Sequence, residues 1–199
     1  FRMVSKQFEE KYDGAKRQAL QDEQFWTNYL FGVIAEFEKL GHEVSGLDAV
    51  VDGDIPRGSG LSSSAGLEVA TAWALQQLLG TDMSHMEIAL LAQRAENQFV
   101  GVNCGIMDQA ISAGGQADHA MLLDCNTLDV EQVPLELSGK AAILVAHSGV
   151  HRGLSTSAYN DRRGSCDAAL VTINEKLGKD YRFLCEATLE DLKAVEREM

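Results

Sequence analysis

Residues 56–65 read Pro-Arg-Gly-Ser-Gly-Leu-Ser-Ser-Ser-Ala, two glycines and then three consecutive hydroxyl side chains at the start of an apolar helical pattern. Glycine lets the backbone adopt positive φ angles and approach an anion, and the free N–H groups and dipole of a following helix favour negative charge. Serine hydroxyls there can cap the helix, bond phosphate oxygens or ligate a magnesium ion. The pattern predicts a phosphate-binding loop, and a glycine-serine turn before a capped helix is the alternative.

The segments around this loop alternate between strand and helix patterns. Strands are predicted at Leu47–Val51, directly before the loop, and further on at Ala120–Asp124 and Ile143–Ala146. An earlier helix has a predicted core-facing stripe and a glycine after its end; these residues are Trp26, Leu30, Val33, Phe37, Leu40 and Gly41. The helix after the loop is predicted to bury one face and to end at Gly80; this face consists of Leu67, Ala70, Thr71, Ala74 and Leu78. The alternation predicts a two-layer α/β or α+β domain.

A further helix is predicted from Ser84 to about Phe99. Ser84 and Glu87 have the spacing of a capping box, and apolar residues recur at helical spacing after them. Glu96 lies at the end of this apolar stripe, so its carboxylate points inward. An inward carboxylate is costly unless it is paired or bound to a cation. Glu96 is therefore a candidate ligand, and a glutamate at the helix boundary is the other interpretation.

Asp108 follows the glycine break Cys104-Gly105 and enters a helical run from Ile106 to Ala113. In the first turn of a helix, the dipole stabilises an ionised carboxylate, which could accept a proton from a substrate hydroxyl. An ordinary carboxylate at a helix N-terminus has the same pattern. Asp108 is therefore a candidate base whose role depends on its surroundings.

Composition narrows the classes of function. The chain has 199 residues, 45% of them hydrophobic, and a formal net charge of −13. Such a charge disfavours nucleic acid and anionic membranes as partners, because both bind mainly to clustered Lys and Arg side chains. No apolar run has the length of a membrane span, and no signal peptide precedes the first helical pattern. The four cysteines are widely spaced, which favours reduced thiols in a cytoplasmic protein over disulfides or a zinc site.

Two motifs carry a resemblance to a known family. Residues 56–65 and the segment 96–109, Glu-Asn-Gln-Phe-Val-Gly-Val-Asn-Cys-Gly-Ile-Met-Asp-Gln, together resemble the galactokinase branch of the GHMP small-molecule kinases. In that family, the first motif is the ATP phosphate loop, and Cys-Gly-Ile-Met-Asp-Gln carries the catalytic aspartate. The resemblance continues through residues 119–125 and 157–163 and ends near 188–192.

The resemblance implies roles for individual residues. It makes Asp108 the catalytic residue that faces the sugar hydroxyl, and it assigns a Mg²⁺ ion to Ser64 and Glu96. It also implies that Tyr159 contacts galactose, although a tyrosine at a helix start is otherwise typical of a boundary core position. The implied ATP-binding residues are Gly58, Ser59, Gly60, Leu61, Ser62, Ser63 and Ser64.

The resemblance also implies a fold and a domain organisation. It predicts a ribosomal-protein-S5 domain 2-like GHMP kinase fold, with residues 1–153 as the ATP-binding N-terminal domain. Residues 154–199 would begin a ferredoxin-like C-terminal domain. The family's N-terminal sugar-recognition motif and its C-terminal glycine-rich motif are not found in the sequence. We therefore expect a central piece of a longer protein, inactive by itself.

The implied function is ATP-dependent phosphorylation of galactose at its 1-hydroxyl, the kinase step of galactose catabolism by the Leloir pathway, in a monomeric cytoplasmic protein. Two alternatives stay open. One is a galactokinase-like sensor that binds sugar and ATP without turnover. The other is a kinase for a related sugar such as N-acetylgalactosamine or galacturonate, because most sugar-selecting residues of the family lie outside this sequence.

Overall fold

The computed structural model describes residues 2–5, 9–11, 22–56, 58–137, 141–146 and 156–196, and of residues 2–5, 9–11, 22–24 and 156–158 only the backbone. The chain divides into two compact units, Phe1–Leu154 and Ser155–Met199. None of the helices among these residues is both long and apolar enough to cross a membrane.

A three-stranded sheet begins the first unit. Strand β1 (Arg2–Ser5) lies between β2 (Glu9–Lys11), to which it is antiparallel, and β3 (Asp48–Val51), to which it is parallel. In β3, Val50 is 82% exposed, whereas Val51 packs against the helical core. This strand matches the predicted one, and it leads directly into the glycine-serine loop.

Helix α1 (Asn28–Lys39) follows a 3₁₀ turn (Asp22–Thr27), and every residue from Asn28 to Phe37 is buried. The predicted stripe is confirmed at Leu30, Val33 and Phe37, which lie in the main core. At its C-terminal end the prediction is wrong, because Leu40 is half exposed. Gly41 follows with φ +90°, as expected for a residue that ends a helix in the left-handed region.

Helix α2 (Ser63–Leu79) buries a different face from the predicted one. Its buried residues are Ala65, Glu68, Val69, Ala72, Leu75 and Gln76, whereas Ala70, Ala74 and Leu78 of the predicted face are exposed. Apolar residues surround this helix on nearly all sides, so their spacing does not select one face. The buried face is instead the one whose polar side chains find partners. Gln76 Oε1, for example, accepts a hydrogen bond from the Met83 N–H at 2.7 Å.

Helix α3 (His85–Ala95) begins at the predicted capping box, in which the Ser84 hydroxyl and the Glu87 carboxylate each accept a hydrogen bond from the other residue's N–H. The helical path continues to Val100, but Glu96–Val100 is a π-turn, with i→i+5 hydrogen bonds. Helix α1 approaches this turn closely at Gly32, where a Cβ atom would lie 3.2 Å from the Cβ atoms of Ala95 and Phe99.

Helix α4 (Met107–Gly114) precedes an antiparallel hairpin of β4 (His119–Leu123) and β5 (Val130–Pro134). The predicted strand at 120–124 is thus confirmed with a shift of one residue. The strand predicted at Ile143–Ala146 is wrong: residues 141–146 form no strand and are exposed. A strand needs a neighbour for its backbone hydrogen bonds, and no strand among the described residues pairs with this apolar run.

The second unit contains α5 (Thr156–Leu177), a 3₁₀ turn (Leu184–Glu186) and α6 (Leu189–Val195). Ile173 and Val195 are its buried apolar residues. The Asn174 side chain bonds the backbone of Tyr181 through both of its polar atoms, at 2.9 and 3.0 Å. Tyr181 in turn donates to Asp191, which accepts a capping hydrogen bond at the start of α6.

The buried face of α2 can be tested with two adjacent glutamines. We expect Gln76→Ala to lower the free energy of unfolding by about 1–3 kcal/mol, because it leaves the Met83 N–H without its acceptor. Gln77 is exposed on the same helix, so Gln77→Ala is the matched control and should change stability by less than about 0.5 kcal/mol. Urea titrations followed by tryptophan fluorescence measure both, and equal losses would contradict this assignment of the buried face.

Candidate active site

The loop between β3 and α2 has an alternating backbone. Gly58, Gly60 and Ser62 adopt left-handed conformations, with φ angles of 70°, 79° and 56°. Such alternation turns backbone N–H groups toward one concave side, an arrangement that binds anions. The Ser59 hydroxyl donates a 2.7 Å hydrogen bond to the Pro56 carbonyl, which ties the loop to its own start. The left-handed Ser62 is a strained position for a residue with a side chain.

The start of α2 favours the phosphate-loop interpretation over the capped turn. Ser62 is the N-cap residue, but its side chain makes no capping hydrogen bond. The first-turn N–H groups of α2 therefore lack this cap, and they lie next to the concave loop. Backbone donors and the positive end of a helix dipole together form an anion site.

Glu96 begins the π-turn, and its side chain is buried, as predicted. Its Oε2 atom accepts hydrogen bonds from Gln109 Nε2 at 2.7 Å and from Cys104 Sγ at 3.3 Å. The Ser64 hydroxyl also hydrogen-bonds to this side chain. Burial raises the pKa of Glu96, while the hydrogen bonds with Cys104 and Ser64 oppose the shift. The structure thus places Ser64 and Glu96, the two residues predicted to bind a cation, next to each other.

Glu68 is a site residue that the sequence interpretation missed. It is fully buried on α2, and its Oε2 lies 3.3 Å from Gln109 Nε2. Its Oε1 has no hydrogen-bond partner among the described residues. Burial and then the nearby Glu96 charge raise the pKa of Glu68 to about 10. One signal was available: Glu68 follows Ser64 by four residues, which places both on one face of the helix.

Tyr29 and Cys104 complete the buried polar cluster. The Tyr29 hydroxyl is buried without a hydrogen-bond partner among the described groups. Burial, with the charges of Glu96 and Glu68, raises the pKa of Tyr29. Burial also raises the pKa of the Cys104 thiol, with a further contribution from Glu96. Both groups therefore stay protonated near neutral pH, and Cys104 acts as a hydrogen-bond donor rather than a nucleophile.

Asp108 lies in the first turn of α4, as predicted, and is partly buried. Its charge raises the pKa of Glu96, so the two carboxylates are close enough to interact. Gln109, the next residue, bonds Glu96 directly. Ser64, Glu96 and Asp108 therefore meet in one region of the first unit. Tyr159 lies on α5 of the second unit and is 51% exposed, so its contact with a sugar stays a prediction.

The donor set fits a magnesium ion that shares its ligands with a nucleotide. The hydrogen bond between Ser64 and Glu96 places two side-chain oxygens next to each other, and Mg²⁺ takes one or two protein oxygens and completes its shell with phosphates and water. Within the part of the chain that the structure describes, no group of three or more His, Cys, Asp or Glu residues is placed to hold a metal. The protein side of such a site is therefore incomplete without phosphate oxygens.

Comparison with known proteins identifies relatives of this chain. The family model for the GHMP kinases N terminal domain matches residues 28–116. Galactokinase of Roseiflexus sp. (strain RS-1) is 48% identical over 174 residues, which are 87% of this chain and 44% of the relative. Galactokinase of Thermotoga petrophila is 48% identical over 168 residues, 84% of this chain and 46% of the relative. The chain spans about half the length of the curated relatives it matches.

A solved structure is similar over nearly the whole chain. The crystal structure of Lactococcus lactis galactokinase complexed with galactose matches with a TM-score of 0.81 and 32% identity. The match covers 97% of this chain and 50% of the other. It confirms the predicted fold class, the mixed α/β fold of the GHMP kinases.

The raised pKa of Glu68 predicts a pH dependence of stability. The folded chain keeps a proton on Glu68 that the unfolded chain releases above pH 4.5, so stability falls as pH rises from there to about 10. We expect Glu68→Gln to remove this contribution, on the order of 1 kcal/mol per pH unit, because the amide has no proton to lose. Urea unfolding between pH 6 and 8, with EDTA present, measures the slope.

Glu87→Gln is the matched control for that experiment. Glu87 is exposed, and hydrogen bonds from Ser84 lower its pKa, so its contribution changes only at acid pH. The control should therefore keep the wild-type slope between pH 6 and 8. The prediction for Glu68 would be wrong if Glu68→Gln kept that slope as well.

Proposed function

Residues 28–116 belong to the GHMP kinase family, and on this premise we propose that the whole protein is a galactokinase that transfers the γ-phosphoryl group of ATP to the 1-hydroxyl of galactose. The observation that carries the proposal is the meeting of Ser64, Glu96 and Asp108 in one region, next to a loop with the backbone of an anion site. The names of the relatives support galactose as the substrate, rather than a related sugar or a sensor without turnover.

Phosphoryl transfer requires alignment of donor and acceptor and stabilisation of charge on the phosphates, and little covalent chemistry. In the proposal, residues 58–64 bind the phosphates through backbone N–H groups and serine hydroxyls. Ser64 and Glu96 hold Mg²⁺, which neutralises charge on the phosphates when it is bound. Because Glu96 is buried, its carboxylate would attract a bound Mg²⁺ ion more strongly than an exposed carboxylate would.

Asp108 orients the sugar hydroxyl and accepts its proton. Asp108 lies in the first turn of α4, at the positive end of the helix dipole. Tyr159 is proposed to contact galactose.

The remaining assignments complete the proposal. Residues 1–153 form the ATP-binding domain and 154–199 begin the C-terminal domain, in keeping with compact units that meet after Leu154. The protein acts as a cytoplasmic monomer and binds neither nucleic acid nor membranes. A net charge of −13 supports the absence of these anionic partners, because it repels phosphate-rich surfaces.

Replacement of Asp108 tests the proposal. We expect Asp108→Asn to lower kcat for galactose-dependent ADP release by roughly 10²–10⁴-fold, because the amide cannot accept the proton. The whole protein is assayed with Mg²⁺ and ATP, and ATP affinity should stay at the wild-type value. Asp118→Asn is the matched control: Asp118 is exposed in the turn before β4, with φ 59°, a conformation that Asn adopts readily. Tight binding of ATP and galactose by the wild-type protein without ADP release would favour the sensor.

Replacement of Gly60 tests the loop. Gly60 has φ +79° with open space around its Cα, so alanine meets no neighbour but is disfavoured in the left-handed region. That penalty is about 1–2 kcal/mol, so we expect Gly60→Ala to weaken the affinity for an ATP analogue roughly 5- to 30-fold. Gly53→Ala is the control, since Gly53 is equally open and lacks a positive φ. Isothermal titration calorimetry measures both, and equal affinities would contradict a role for this loop.

A further inference from the structure

Gln109 is a wholly buried glutamine that contacts two acidic side chains at once, Glu96 and the protonated Glu68. It follows Asp108 on α4, and its Nε2 donates to Glu96 Oε2 at 2.7 Å and lies 3.3 Å from Glu68 Oε2. An amide nitrogen has two hydrogens, one for each of these acceptors. The reverse orientation of the amide would direct its carbonyl oxygen at the Glu96 carboxylate, which can only accept, so Glu96 determines which atom faces it.

This one side chain connects three segments of the first unit. Glu68 belongs to α2, which starts at the phosphate loop, and Glu96 begins the π-turn after α3. Gln109 itself belongs to α4, next to Asp108. The distance between the proposed cation ligand and the proposed base therefore depends on a hydrogen bond made by the residue adjacent to that base.

The hydrogen bonds also orient the Glu96 carboxylate. Gln109 donates to Oε2 at 2.7 Å. Cys104 Sγ lies 3.3 Å from the same oxygen and shares its one hydrogen between Oε2 and Asn97 Oδ1, which is also 3.3 Å away. Gln109 is held through its nitrogen, since its Oε1 is buried without a partner among the described residues. With Oε2 engaged by the short bond from Gln109, Oε1 is the oxygen that this bond leaves to a cation shared with Ser64.

We propose that Gln109 is a positioning residue: its amide holds the Glu96 carboxylate in the orientation that binds the cation, at a set distance from Asp108. This inference rests on the proposed function. Gln109 acts through Glu96 and touches neither the substrate nor the reacting atoms in this role. Removing a residue that hydrogen-bonds to a metal ligand typically weakens metal affinity 10- to 100-fold.

The experiment measures Mn²⁺ binding by the whole protein in the presence of a non-hydrolysable ATP analogue. Loss of the free Mn²⁺ signal in electron paramagnetic resonance gives the dissociation constant without galactose and without turnover. We expect Gln109→Met, which keeps the length of the side chain and removes its donors, to weaken Mn²⁺ binding roughly 10- to 100-fold. Gln109→Asn retains the amide on a shorter side chain, and we expect the same loss because its donor falls short of Glu96. Gln109→Asn is used in place of Gln109→Met if the methionine variant shows no cooperative unfolding transition and is therefore not properly folded.

Gln132→Met is the matched control. Gln132 also anchors α4, because its Nε2 donates to the Gly114 carbonyl at 2.9 Å, but at the opposite end of the helix from Asp108. This variant should keep the wild-type affinity for Mn²⁺. A further readout is the ADP-release assay, in which Gln109→Met should raise the half-saturating Mg²⁺ concentration and leave the KM for galactose unchanged.

Two outcomes would overturn the inference. One is a folded Gln109 variant with the wild-type Mn²⁺ affinity. The other is equal weakening by Gln109→Met and Gln132→Met, because that result would reflect general loosening of α4. Failure of the wild-type protein to release ADP with galactose counts against the proposed function alone, since Mn²⁺ binding is measured without the sugar.

Discussion

The buried carboxylate of Glu96 is the constraint on which the site depends. A carboxylate out of contact with water is costly unless donors or a cation surround it. Here the donors come from different segments: Gln109 from α4, Cys104 from the connection before it, and Ser64 from the start of α2. The hydrogen bonds to this one carboxylate connect the start of α2 after the glycine-serine loop, the π-turn and helix α4.

The surrounding packing holds that carboxylate in place. Gly32 lets α1 approach the end of α3, where a Cβ atom on α1 would make tight 3.2 Å contacts with Ala95 and Phe99. On the same side, Arg94 Nε pairs with the buried Glu36 carboxylate of α1 at 2.9 Å. The π-turn then begins at Glu96, and such turns are frequent at functional sites. Backbone strain at Ser62 lies in this same region, together with the Glu68 Oε1 and Tyr29 hydroxyl atoms that have no partner within the described part of the chain, as expected where stability is given up for ligand binding.

Local features were predictable because their causes are local. The capping box at Ser84 and Glu87 spans one helical turn, and Gly41 and Gly80 end helices by their own backbone conformations. Errors arose where distant partners decide. Helix α2 is apolar on most sides, so its buried face depends on what Glu68 and Gln76 bond. Residues 141–146 have the composition of a strand, but a strand forms only when another strand pairs with it.

The sequence by itself determined the glycine-serine loop before a helix, the inward direction of Glu96 and the position of Asp108 in a first helical turn, because these follow from neighbours within a few residues. The tertiary structure alone decided that Glu68, Gln109, Cys104 and Tyr29 join them. Gln109 and Glu68 are 41 positions apart in the chain, and periodicity within one helix contains no information about such a pair. A buried polar group must find a partner, and which one it finds is settled only when the helices pack.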